Sequence, residues 1–111
     1  MNLKQSIQHS SEEFVSICKS FNVQSLYAFG SSVRDDFDEE NSDIDLLIEI
    51  GTLDPVTKGE QIMAVWDRFE SFFKRKVDLL TPSSIKNPYL RKSIEFSKVL
   101  IYDGKELKIS F

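Results

Sequence analysis

One cysteine, Cys18, is all this chain carries, so no internal disulfide can brace the fold, and the cysteine usage fits a reducing compartment. With one histidine as well, His9, the sequence holds no zinc-ligand cluster. No long apolar run and no basic-apolar opening segment is present, which argues against membrane spanning and secretion and leads to a cytoplasmic expectation. Positive charge is in short supply too. Lys and Arg number 14 against 18 Asp and Glu, a formal charge of -4, so a long nucleic-acid backbone is a poor default partner, whereas a small nucleotide neutralised by metal remains compatible. There is no internal repeat and no low-complexity tract.

What is present is a globular composition, 41% hydrophobic and 29% charged, over 111 residues. That length supports one core and is short for two, so the expectation is one domain over 1–111. Leu3, Ile7, Phe14, Ile17 and Cys18 recur near helical spacing, predicting amphipathic helix from about Leu3 to Lys19. Ser10 followed by Glu13 resembles a capping box that would start a second helix there. Cys18, among Phe14, Val15, Ile17 and Phe21, reads as core. His9 lies in a polar stretch with no partner nearby in sequence, and reads as a surface residue rather than a catalytic one.

Val23 to Phe29 reads as a strand ended by Gly30, and a helix or turn from Ser31 would aim backbone N–H groups at an anion. Beyond it, Arg34 suits either a triphosphate or site-carboxylate contact or an ion pair with the acidic loop that follows, residues 35–41. Phe37 is a candidate anchor for that loop. Asp43 to Ile50 is the clearest strand: Ile44, Leu46 and Ile48 point one way, and Asp43 and Asp45 the other. Two carboxylates on one strand face make a poor core and a good half of a divalent-metal site, since Mg²⁺ is usually held by a few carboxylates together with nucleotide phosphates.

Gly51 to Pro55 is a loop. From about Thr57 to Lys74, Ile62, Val65, Trp66, Phe69 and Phe73 follow the helical period. Trp66 reads as core before nucleotide platform, and the density of Phe69, Phe72 and Phe73 raises the prospect that one helix end reaches a protein partner. Lys74, Arg75 and Lys76 complement the negative end of that helix. Val77 to Thr81 is a strand with Asp78 conspicuous inside it: if it pairs beside the Asp43/Asp45 strand, the carboxylates meet at one end of the sheet, and otherwise Asp78 is an edge charge. Pro82 enforces a turn, Pro88 precedes a short helix expected to pack through Leu90 and Ile94, and Val99 to Tyr102 is a last short strand before Asp103-Gly104. The remaining tail, Lys105 to Phe111, either frays or adds a strand.

Taken together, the Gly30-Ser31 turn, Asp43-x-Asp45 and Asp78 resemble the nucleotidyltransferase superfamily that includes DNA polymerase beta. The chain looks most like the minimal nucleotidyltransferases often encoded beside a HEPN-domain partner. The resemblance runs from about Val23 to Tyr102 and departs from the family pattern at Asp35, where glycine is frequent, and in the long acidic insertion. It implies an α/β (α+β) fold, a small mixed sheet flanked by helices like the polymerase beta palm. It further implies that Asp43, Asp45 and Asp78 are catalytic and hold Mg²⁺ or Mn²⁺, and that Gly30 and Ser31, with Arg34, bind the phosphates of ATP. The implied reaction transfers AMP to a hydroxyl, a tyrosine of a HEPN-type toxin, with this chain as the antitoxin. A noncatalytic antitoxin that acts by binding, and an enzyme modifying a small molecule, are the competing expectations. An oligomer is compatible with either.

Overall fold

A computed structural model describes residues 2–33 and 43–111. Arg34, Phe37 and the rest of the acidic connection lie outside the described residues. Helix α1 (Leu3–His9) and helix α2 (Ser11–Ser20) lead into strand β1 (Val23–Phe29) and a 3-10 turn (Gly30–Val33). Strand β2 (Ile44–Ile50), helix α3 (Pro55–Phe73) and strand β3 (Val77–Leu80) follow. A second 3-10 turn (Pro82–Ser84), helix α4 (Pro88–Ser97), strand β4 (Val99–Asp103) and strand β5 (Lys108–Ile109) complete the order. The five strands form one mixed sheet, β3-β2-β1-β4-β5, in which only β2 and β3 run parallel. The expected α/β class, a small mixed sheet with helices, is what the described residues form.

Local chemistry sets the element ends. Asp54 accepts from the backbone N–H of Thr57 at 2.9 Å and Pro55 fills the first helical position, so α3 starts two residues before the hydrophobic period predicts. Its end at Phe73 is followed by Lys74 in the left-handed region, φ 55°. The first helical stretch is two helices meeting at Ser10, but the predicted Ser10–Glu13 capping box is not formed. Ser10 caps nothing with its side chain because its backbone already closes α1. The reciprocal box lies instead at Asn2 and Gln5, whose side chains accept from each other's backbone N–H at 2.9 and 3.0 Å.

Packing follows the two periodicities. Alternate residues Ile44, Leu46 and Ile48 of β2 are buried against the layer made by α1, α2 and α3. Phe14 of α2 is the hub, with ring centroids of Phe69, Phe72 and Phe73 at 5.9, 5.5 and 6.3 Å. Phe69 and Phe73 are buried in this core and Phe72 packs against it partly buried. A smaller cluster, Phe29, Leu47, Ile85 and Ile94, occupies the other face of the sheet. Ile94 is buried as expected, whereas Leu90 is 44% exposed: α4 reaches the sheet through Ile94, and Leu90 lines a cleft. His9 is exposed and Cys18 buried, in line with the sequence. The tail supplies the two-residue strand β5.

Candidate active site

The site is built where β1 ends and β2 and β3 begin. Gly30 takes φ +63°, a conformation that turns the chain sharply out of β1 and that side chains resist. The 3-10 turn then folds back over β2. Ser32 Oγ accepts from the backbone N–H of Asp45 at 2.8 Å, tying the turn to the strand that carries the carboxylate. A Cβ on Gly30 would meet the Asp45 carboxylate oxygen at 2.7 Å, so that side chain lies directly against the glycine backbone.

Across the ladder, Asp45 is in register with Asp78 on the parallel strand β3. Cross-strand partners in register project to the same face, so both carboxylates stand on the same side of the sheet. They line one cleft of about 390 Å³ with Phe29, Gly30 and Ser31, and its opposite wall is Leu90, Ser93, Ile94 and Ser97 of α4. Asp43 shares Asp45's face by its i, i+2 spacing. It precedes the first ladder residue, Ile44, and is exposed, roughly 6–7 Å along the strand from Asp45.

Among the described residues no three histidine, cysteine, aspartate or glutamate side chains are close enough to share a metal ion. The structure thus brings Asp45 and Asp78 together, while Asp43 is exposed and does not line the cleft. That donor set does not make an all-protein cage. It fits the case in which one or two carboxylates and the substrate's phosphate oxygens share an ion, because hard oxygen ligands are present and the remaining positions are open to a ligand.

Several side chains in and around the candidate site escape a reading of the sequence. Ser32 is signalled only by the second serine of Gly-Ser-Ser. The α4 wall has no motif at all: Ser93 and Ser97 are four residues apart on a helix, and their role as lining depends on how α4 lies against the sheet. Trp66 is neither wholly core nor a nucleotide platform. It is half-buried and its Nε1 donates to the carbonyl of Val77 at 2.7 Å.

Comparison with known proteins bears on this arrangement. The sequence profile of the family described as "Nucleotidyltransferase domain" matches residues 11–101. A relative from Methanocaldococcus jannaschii, "Putative protein adenylyltransferase MJ1379", is 39% identical over 75 residues, which cover 68% of this chain and 73% of the relative. Among solved structures, a "putative minimal nucleotidyltransferase" superposes with a TM-score of 0.59 at 24% identity, covering 89% of this chain and 95% of that one. A tri-AMPylated Shewanella oneidensis HEPN toxin in complex with MNT antitoxin gives a TM-score of 0.52 at 19% identity, with 89% and 74% covered. At these identities the two solved structures establish likeness of fold.

Proposed function

Because the chain belongs to the nucleotidyltransferase domain family, we propose that it transfers AMP from ATP to a hydroxyl of a partner protein, a tyrosine of a HEPN-type toxin, and thereby acts as an antitoxin. The observation that carries this reading is the Asp45–Asp78 pair in register at the floor of a cleft that opens with the Gly30-Ser31 turn. The choice of AMP and of a protein acceptor follows the name borne by the Methanocaldococcus relative and the AMPylated HEPN toxin seen with the related fold.

In this reading the acceptor oxygen attacks the α-phosphorus of ATP, a new P–O bond forms, the bond to the bridging oxygen breaks, and pyrophosphate leaves. Gly30 and Ser31 hold the β- and γ-phosphates through backbone N–H groups and the hydroxyl, with Arg34 as a further phosphate contact. Asp43 and Asp45 place the nucleotide, and Asp78 assists loss of the hydroxyl proton to solvent. Asp45 and Asp78 would hold Mg²⁺ or Mn²⁺ together with phosphate oxygens, and Asp43, which is not grouped with them, would act through placement of the nucleotide. A bound divalent ion neutralises phosphate charge, lowers the acceptor's pKa and stabilises the leaving pyrophosphate. The intact mass of a co-expressed HEPN partner, incubated with ATP and Mg²⁺, tests the reading. Additions of one or more AMP masses that vanish with Asp45→Asn support it, and an unchanged mass with the folded wild-type protein rejects it.

A second reading, neutralisation by binding without transfer, has its own support. Tyr89 and Phe96, 84% and 89% exposed, lie seven residues apart on α4, the helix whose other residues wall the cleft. An apolar surface of that kind would bind a partner whether or not AMP is transferred. A stable complex whose mass never changes would favour it.

A further inference from the structure

We propose that Glu70 and Trp66 are positioning residues for Asp78: together they grip the open edge of β3 at Val77 and fix the register and direction in which Asp78 faces Asp45. The kinetic part of this inference rests on the function proposed above; the structural part does not.

Strand β3 has four residues and, among the described residues, a single neighbour, β2, which makes it an edge strand there. The carbonyl of Lys76 accepts from the backbone N–H of Ile44 at 3.1 Å, and strand alternation therefore turns the N–H and C=O of Val77 away from β2, to the open side. Helix α3 meets both groups there. Glu70 Oε2 accepts from the Val77 N–H at 3.0 Å, and Trp66 Nε1 donates to the Val77 carbonyl at 2.7 Å. Residues four apart on a helix share one face, so α3 presents an acceptor and a donor spaced for the two backbone groups of one residue.

The two bonds hold two successive peptide planes. The Val77 N–H belongs to the plane shared with Lys76, and the Val77 carbonyl belongs to the plane that contains the nitrogen of Asp78. With both planes fixed, the backbone torsions of Val77 are set and the nitrogen of Asp78 is placed, so β3 resists slipping by one position, a slip that would send the Asp78 carboxylate to the opposite face. The Glu70 bond is charge-assisted and so stronger than a neutral one. Neither Glu70 nor Trp66 lines the cleft, so they act on the site through Asp78.

The test uses the full chain with Glu70→Leu, Glu70→Gln and Trp66→Phe. Glu70→Gln keeps an acceptor oxygen and Trp66→Phe keeps an apolar ring without the donor, so folded protein is available even if Glu70→Leu fails. Backbone amide exchange at Val77 and Asp78 is compared with Ile48 of the inner strand β2, and transfer to the partner is resolved into kcat and KM for ATP. Expected for Glu70→Leu and Trp66→Phe is exchange at Val77 and Asp78 at least tenfold faster with Ile48 unchanged, and kcat at least tenfold lower at unchanged KM, with Glu70→Gln close to wild type in both. Exchange that is unchanged, or that rises equally at Ile48, overturns the proposal, as does selective loosening of β3 with kcat intact. If the wild-type protein transfers nothing, the enzymatic reading fails separately, and the exchange comparison still decides whether Glu70 and Trp66 hold Asp78 in register.

Discussion

Gly30 and Asp45 occupy adjoining space that only the missing side chain leaves open: a Cβ on Gly30 would stand 2.7 Å from the Asp45 carboxylate oxygen. Since that oxygen ends a movable side chain, Gly30→Ala would push the carboxylate aside while leaving the strand pairing in place. Added to this is the steric cost of a side chain at φ +63°, about 1–2 kcal/mol. The expected outcome is a modest loss of stability by denaturant titration and a loss of AMP transfer of at least tenfold.

Asp45 and Asp78 are like charges in register on neighbouring strands, and like charges placed directly opposite each other disfavour the pairing. Asp78→Asn should therefore leave the melting temperature of the ligand-free protein equal or higher. Mg²⁺ or Mn²⁺ with ATP should raise the melting temperature of the wild-type protein, and that rise should disappear in Asp45→Asn and Asp78→Asn. Differential scanning fluorimetry checks each point. An equal rise in the wild type and both variants would remove the carboxylates from the ion's binding site.

Phe14 is fully buried at the centre of the α2–α3 contact, with three phenylalanine rings around it. Phe14→Ala should cost about 3–5 kcal/mol. Phe14→Leu should cost less, because it leaves a smaller cavity. Urea unfolding midpoints measure both, and a cost below 1 kcal/mol for the alanine variant would contradict this packing.

Burial pushes the Cys18 thiol well above its usual range. The folded chain keeps the thiol neutral while the unfolded chain ionises it near pH 8.5, so this contribution to stability is complete below that value and is lost as pH rises above it. For one group the slope is at most about 1.4 kcal/mol per pH unit. Between pH 8.5 and 10 the stability of Cys18→Ala should fall less steeply than that of the wild type. A thiol reagent should label Cys18 only as fast as the protein opens.

Much of this architecture was legible where a residue's neighbours in sequence are also its neighbours in space. The two-residue alternation from Asp43 to Ile50 defines β2 and its carboxylate face, and the apolar period from Ile62 to Phe73 defines most of α3. The candidate cleft was legible in Gly30, Asp45 and Asp78 as residue types out of place in a core. What stayed hidden depends on how distant segments meet. Leu90 has the spacing of a core residue but lines a cleft, because Ile94 makes the contact with the sheet. Ser10 and Glu13 have the spacing of a capping box, yet Ser10 is committed to ending the preceding helix. The bonds from Trp66 and Glu70 to Val77 span eleven and seven residues and obey no motif.

The parallel pairing of β2 with β3 also bears on how the chain folds. Parallel neighbours cannot be joined by a tight turn, and here the whole of α3 lies between the two aspartates. Ordering that crossover spends chain entropy before the contacts it enables can form, which makes such pairings slow among folding events. The two carboxylates therefore come into register only once α3 has docked, so in a refolding experiment helical signal should return before the capacity to be stabilised by a divalent ion and nucleotide.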